Sequence, residues 1–332
     1  MDLDAFSAVH RASWARLATL SKSRRLHGSE ADELVRLYQE VATHLSMVRS
    51  AAPDPALISE LSQLLARARS AISGSHDPSW SDLSRFFVET LPAAFYRVRW
   101  WTLGVAVASA VLAVVAGAWL VRSPEAQAAI GPPGTLKEIA DRTFAQYYVQ
   151  YDGASFAAQV WTNNAWIAAQ SVAFGITGIW PVIVLYQNAV HIGQVGGILA
   201  MHGGLPVFFQ LIVPHGLLEL TAVFIAAGTG LKLFWTMVDP GGRPRGRALA
   251  AEGRSLFTVA LGLVVVLGIS GLLEGFVTPS TVLPWWLKIV IGAVVWLAFW
   301  WYVVALGRRA VRAGATGDLR RDLAGDELPL AA

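Results

Sequence analysis

The 332-residue chain is 55% hydrophobic and only 15% charged, with a formal net charge of +3 and a mean hydropathy of +0.48. Soluble domains carry about 25% charged residues, so an ordinary soluble enzyme is excluded and a bilayer is implied. The small net charge offers no footprint for nucleic acid, and the absence of cysteine removes disulfides, thiolate metal sites and cysteine nucleophiles.

Charge is placed unevenly. Residues 1–99 hold 12 Lys/Arg and 11 Asp/Glu, whereas the apolar spans beyond them hold only Glu219, Lys232, Glu274 and Lys288. The pattern predicts an all-α polytopic membrane protein: six transmembrane helices preceded by a small cytoplasmic helical bundle over 1–95.

Four amphipathic helices are expected in that front. The first carries Leu3, Phe6, Trp14 and Leu17. The second carries Leu34, Leu37, Tyr38, Val41, Leu45 and Val48 at three- and four-residue steps, with Ser29 and Asp32 resembling a capping box. A third opens on Asp54-Pro55, runs through Leu57, Leu61, Leu64, Leu65, Ala68 and Ile72, and stops near Gly74. A fourth carries Leu83, Phe86, Phe87 and Leu91 before Pro92. His10, His27, His44 and His76 lack metal-ligand spacing and read as surface or cap residues. The charged start does not read as a signal peptide.

A crossing helix needs about 20 apolar residues. Residues 100–121 supply the first, with Ser109, Ala113 and Gly117 as a small-residue seam. Residues 122–159 read as an extracytoplasmic loop with an interfacial helix and a patch of Tyr147, Tyr148 and Tyr151. The second and third spans are placed at 160–178 and 180–201. Pro214 divides the next apolar run into a short interfacial or re-entrant segment, 205–213, and a fourth span, 214–236. A cytoplasmic loop over 239–254, spans at 255–276 and 285–306, and a cytoplasmic tail over 307–332 complete the chain. Six crossings put Arg97 and Arg99, then Arg243, Arg245, Arg247 and Arg254, then Arg308, Arg309 and Arg312 on one side. That agrees with the positive-inside rule, both termini being cytoplasmic.

An ionisable group at mid-membrane costs about 2.5–3.5 kcal/mol or more on insertion scales, which makes each one a functional candidate. The predicted topology brings Asn163, Asn164, His215, Glu219 and Glu274 to one depth in the outer leaflet, with His215 and Glu219 on one helix face. Three readings stand: the groups satisfy one another and fix helix packing; they form a metal or acid–base site, zinc being the candidate ion; or they dock a partner or lipid headgroup. Asn188, His191 and Gln194 form a secondary polar set. Pro214 and Gly216 mark a backbone break, while Gly193, Gly197 and Gly275 mark packing seams. Lys232 and Lys288 are expected to snorkel. No cofactor is expected beyond that zinc option.

Asn163-Asn164, the Asn188-xxxx-Gly193 turn, Pro214-His215-Gly216-xx-Glu219-Leu220, Gly230-Leu231, the Arg-containing 243–254 loop and Leu273-Glu274-Gly275-Phe276 together resemble the stage II sporulation protein M family. The resemblance covers nearly the whole chain, with Ala189 departing from the Gly of many members. It implies a polytopic helical protein of the bacterial inner membrane whose namesake works beside cell-wall hydrolases in engulfment. The preference for Arg over Lys, 22 to 4, suggests a GC-rich genome and weakens a sporulation role. The reading leans away from an enzyme, towards a scaffold of an envelope complex. Its expected partners are membrane lipids, other envelope proteins or cell-wall enzymes and not nucleic acid, with self-association left open. The alternative is an intramembrane metal-dependent hydrolase or an ion or lipid transporter using the polar cluster. Against it stand the absence of a zinc-protease, serine-elbow or nucleotide-binding motif and of a visible internal repeat.

Overall fold

The computed structural model describes residues 3–23, 26–51, 54–72, 80–143 and 153–318. His76, Gly74, the tyrosine patch (Tyr147, Tyr148, Tyr151) and the tail beyond 318 lie outside the described residues. Two compact units emerge, the first ending at Asp82 and the second beginning at Leu83.

The first unit is built from α1 (Leu3–Leu20), α2 (Gly28–Ala51) and α3 (Pro55–Ile72). Their stripes bury one core in which Leu17, Val41, Val48, Leu61 and Ala68 are fully enclosed. Asp54 Oδ1 accepts the Leu57 amide at 2.7 Å and caps α3, as Asp54-Pro55 predicts. For α2 the cap lies earlier than Ser29 and Asp32 suggest. The Glu30 carboxylate reaches back to the His27 amide at 3.0 Å, which starts the helix at Gly28.

The expected fourth bundle helix belongs elsewhere. A single helical run, α4 (Trp80–Arg122), carries Phe86 and Leu91 into the core of the second unit. Pro92 does not stop it, because the turn Phe86–Thr90 is a π-turn in which the Leu91 amide reaches back to the Phe86 carbonyl. The Phe87 carbonyl, which the missing Pro92 amide would face across the widened turn, instead accepts the Tyr302 hydroxyl at 2.6 Å.

After the short helices α5 (Pro124–Ile130) and α6 (Pro133–Glu138), the second unit continues with α7 (Gly153–Ala173), α8 (Ile179–Met201), α9 (Leu205–Val238), α10 (Arg245–Leu272) and α11 (Trp285–Arg312). Several expected boundaries shift. α9 is one continuous helix with Pro214 inside it, not a short segment followed by a span. α7 ends at Ala173 and a 3₁₀ turn, Gly175–Thr177, leads into α8. α10 begins at Arg245, so the loop expected over 239–254 is largely helical.

Contacts between residue pairs fix the helix directions. Ala113 and Gly117 of α4 meet Gly193 and Gly197 of α8 in rising order, so these two helices run parallel. α4 and α11 run antiparallel, with Phe95 against Phe299 and Pro92 against Gly307. α11 and α9 run parallel, with Gly292 on Pro214 and Trp296 Nε1 donating to Thr221 Oγ1 at 3.0 Å. α7 also runs with α9, from Asn164 beside Glu219 to Ser171 and Gly175 beside Gly230. α10 opposes α9, with Lys232 on Glu252 at one end and His215 on Glu274 at the other. Along the chain, α4, α7, α8, α9, α10 and α11 therefore alternate in direction.

Five of these helices, all but α7, are long and apolar enough to cross a membrane by length and composition. The chain is thus an all-α polytopic membrane protein. α7 is diluted by Gln159, Asn163, Asn164 and Gln170, yet it lies along both α9 and α10. From Gly153 to Ala173 it rises about 30 Å, close to a hydrocarbon core of roughly 30 Å.

Of the expected seam, Ala113 and Gly117 pack α4 on α8, while Ser109 lines a cavity between the two helices. A Cβ at Gly193 would overlap the Ala113 carbonyl, and one at Gly117 would stand 2.7 Å from the Gly193 carbonyl oxygen. With no hydrophobic force between helices in lipid, this close backbone approach is a main source of association.

Candidate functional site

The site forms where α9, α10 and α7 meet. Residues i and i+4 share a helix face, so His215 and Glu219 of α9 both turn towards α10. α10 does not end regularly. The segment Leu273–Val277 is a π-turn, closed by the Thr278 amide on the Leu273 carbonyl at 2.9 Å. The extra residue in that turn brings Glu274 in to face α9. The result is a trio, His215, Glu219 and Glu274, whose donor atoms lie within 4.8 Å of one another.

His215 and Glu274 are each 4% exposed, while Glu219 is half-buried with its Oε2 shielded from solvent. His215 Nε2 stands 3.8 Å from Glu274 Oε1. On the other side of the ring, Nδ1 lies 3.1 Å from Thr278 Oγ1, and that hydroxyl also donates to the Leu273 carbonyl at 3.3 Å. With the hydroxyl proton directed to Leu273, the ring donates from Nδ1 and keeps the Nε2 lone pair towards the carboxylates. The Ser270 hydroxyl lies against both the Glu219 carboxylate and the His215 carbonyl oxygen, 3.1 Å from the latter. Asn164 also hydrogen-bonds Glu219. Even so, Glu219 Oε2 and Glu274 Oε2 are buried without a hydrogen-bond partner.

Most of the expected cluster is therefore brought together. Asn163 is the exception: it is exposed, while its neighbour Asn164 turns inward. Successive helical residues point about 100° apart, so only one of the two can face Glu219. The expected secondary set does not assemble. His191 is exposed, and Asn188 donates to the Val184 carbonyl of its own helix at 2.8 Å. Pro214 and Gly216 are buried within continuous helix rather than at a break, and the Pro214 carbonyl receives Gly292 of α11 so closely that a Cβ there would overlap it. Ser270 and Thr278 escaped the sequence reading, because a hydroxyl in an apolar helix carries no pattern of its own.

A second polar layer sits at the opposite end of the same helices. Glu252, 7% exposed, pairs with Lys232 at 2.6 Å and Arg97 at 3.1 Å. Arg254 pairs with Asp318 at 3.1 Å, and Arg97 also donates to the Thr316 carbonyl. Lys232 was expected to snorkel and is instead held by Glu252. Lys288 likewise turns inward and donates to the Thr278 carbonyl at 2.7 Å.

The first unit holds one more cluster, and here the histidines are not simple surface residues. His10, Glu40 and His44 gather on α1 and α2, with the two rings 3.9 Å apart. His44 is buried, and its Nδ1 accepts the Trp14 indole proton at 3.2 Å. Ser13 donates to Glu40 at 2.9 Å. Burial first, then the proximity of His10, holds the His44 pKa below its ordinary value, with Glu40 pulling the other way.

A family model for a domain of unknown function (DUF8413) matches residues 4–74, which are the three-helix unit. No curated protein and no solved structure is detectably similar to the chain. A second family model, described as Stage II sporulation protein M, matches residues 106–279, more than half of the chain and every residue of the His215, Glu219 and Glu274 trio. The chain belongs to the stage II sporulation protein M family.

Proposed function

We propose that this protein is a non-enzymatic scaffold of an envelope complex in the bacterial cytoplasmic membrane, crossing it six times with both termini inside. The observation that carries the reading is how the motif residues are used. Pro214 receives α11, His215 reaches Thr278, Glu219 meets Asn164 of α7, and Glu274 closes on His215. Each joins one helix to another in an enclosed interior, as groups that set a platform's shape would. An apolar cavity of about 560 Å³ lies elsewhere, between α4 and α8, and is lined by residues such as Trp100, Val105 and Tyr186. Its hydroxyl side chains are Ser109 and Tyr186, and no histidine, carboxylate or lysine lines it to activate either one.

The orientation is supported by the Arg residues around the Glu252 end. The absence of native cysteine makes it directly testable. Thiols at Arg243→Cys and Thr177→Cys should be shielded from an impermeant maleimide in intact cells, and one at Ser280→Cys labelled. Labelling at Thr177→Cys from outside would remove α7 as a crossing.

The scaffold reading is tested by photo-crosslinking from exposed apolar positions such as Val114 and Val294. Discrete adducts to envelope proteins or cell-wall enzymes are expected. Hydrolysis, or ion or lipid movement, by the purified chain in liposomes would overturn it, provided that Glu219→Gln abolished the activity. That competing class draws on one observation, the two carboxylate oxygens left without partners.

A further inference from the structure

We propose that His215, Glu219 and Glu274 bind a divalent transition-metal cation, with zinc the best chemical match, as a structural clasp between α9 and the π-turn that ends α10. The inference goes beyond the scaffold reading and does not depend on it.

Three independent features point to a cation. The first is the donor set. One imidazole nitrogen and two carboxylates are the hard-to-borderline mixture that zinc and its first-row neighbours accept. The three donor atoms already lie within 4.8 Å of one another, and the His215–Glu274 pair is at 3.8 Å. In a tetrahedral centre with bonds of about 2.0–2.1 Å, donors stand roughly 3.3 Å apart. Side-chain rotation of less than one bond length closes the difference.

The second feature is the unmet charge. Glu219 Oε2 and Glu274 Oε2 are buried and have no partner, and among the described residues no lysine or arginine is paired with either carboxylate. Two adjacent acids in an apolar interior repel unless something positive lies between them. Lys288 is spoken for by the Thr278 carbonyl at 2.7 Å.

The third feature is the outer contact. A metal-bound histidine characteristically donates its other ring N–H to a fixed acceptor, which sets the tautomer and aims the free nitrogen at the ion. His215 Nδ1 faces Thr278 Oγ1 at 3.1 Å, and Thr278 is itself anchored on the Leu273 carbonyl. Thr278 follows directly on the π-turn that carries Glu274, so one irregular segment supplies both a ligand and the group that orients another. The π-turn thereby acquires a reason to exist, as such turns often do at functional sites.

The experiment uses the full chain purified in detergent, stripped with chelator and titrated with Co²⁺ as a spectroscopic probe and Zn²⁺ as competitor. One Co²⁺ per chain is expected, with visible d–d bands displaced by Zn²⁺ and a higher unfolding temperature on loading. His215→Ala and Glu274→Gln should abolish the bands, while His191→Ala, altering an exposed histidine, should leave them unchanged. Thr278→Val is the positioning test. It removes no ligand and should weaken binding about 10- to 100-fold, the range typical of outer-contact losses. The thermal shift of the unmutated chain keeps the question open to an answer even if a variant misfolds. Absence of a stoichiometric ion and of any metal-dependent thermal shift would overturn the proposal and leave a shared proton as what holds the two acids together. Bands that survive in both His215→Ala and Glu274→Gln would overturn it equally. Neither result bears on the crosslinks that test the scaffold.

Discussion

The second unit buries acids at both ends of the helix pair α9 and α10 and treats them in opposite ways. At one end Glu252 is held between Lys232 and Arg97 at 2.6 and 3.1 Å. At the other, Glu219 and Glu274 share a pocket with a histidine and retain two oxygens without partners. The burial is similar, Glu252 at 7% and Glu274 at 4% exposed, so solvent access does not explain the difference. What differs is local compensation. A buried carboxylate with two cations is complete as it stands and fastens helices. Two carboxylates beside a histidine, each with a buried oxygen that has no partner, are incomplete as they stand. Near-equal burial therefore accompanies a closed ion-pair network at one end and two unpartnered carboxylate oxygens at the other, which is where the proposed cation would sit.

Removing the acid at each end should have effects of different sign, which is the sharpest way to break this comparison. Glu252→Ala leaves Arg97 and Lys232 with no carboxylate and should destabilise the membrane unit by about 3 kcal/mol, the lower part of the range for opening a buried pair. Arg97 is partly exposed, which keeps the effect at that end. Unfolding in mixed micelles reads the loss; a change smaller than measurement error would mean that the pair is solvated after all. The uncompensated end should behave differently in metal-free protein. There Glu274→Gln relieves repulsion and should be neutral or stabilising, by about 1 kcal/mol. With metal present the ranking reverses, because the variant loses the linkage gain, about 2.7 kcal/mol for an ion at 100 times its dissociation constant. A Glu274→Gln variant that was destabilised equally with and without metal would erase the distinction between the two ends.

The glycine contacts test whether the helix frame holds the trio independently of its charge. Gly292 lies directly on the Pro214 carbonyl, one residue before His215. Gly292→Ala should cost about 1–3 kcal/mol through overpacking and move α11 off α9, weakening Co²⁺ binding as well. Gly104→Ala, where a Cβ meets nothing within 4 Å, is the matched control and should leave both quantities alone. Equal behaviour of the two variants would show that the frame tolerates displacement near the trio.

Much of this arrangement could be read from sequence, and the failures have physical causes. Apolar length located the membrane helices, the Ser109–Ala113–Gly117 seam was visible as spacing, and HxxxE placed two of the trio on one face. Glu252 was hidden because it lies in an Arg-rich stretch, Arg245 to Arg254, that hydropathy assigns to a loop; only the fold shows the helix extending through it to meet Lys232. Pro92 and Pro214 were read as breaks since proline removes a backbone donor. Neighbouring helices keep the turns together at Pro214, and a π-turn does so before Pro92. Asn164 could not be separated from Asn163 without knowing which way α7 faces. His10 and His44 come from different helices, and no spacing within a single helix announces their contact.

That last pair extends the comparison to the three-helix unit, where the expected effect is smallest. His44 is buried against Trp14, and burial together with His10 holds its pKa below the usual value. In the unfolded chain it would titrate near about 6.5. Below that pH the unfolded state takes up a proton that the folded state refuses, so stability must fall as the solution is acidified, until the lower folded pKa is reached. The groups facing the ring set the slope: His10 strengthens the effect and Glu40 moderates it. Pulse proteolysis of α1–α3 in the full chain, followed across a denaturant series, should give a lower unfolding midpoint at about pH 5.5 than at pH 7.5. His44→Gln should flatten that dependence, and His10→Ala should halve it or less. Trp14→Phe removes the indole donor while keeping the packing, and should cost about 1 kcal/mol at neutral pH. If the midpoint does not move with pH in the unmutated chain, His44 is solvated, and its enclosure beneath α1 is looser than its contacts with Trp14 and His10 imply.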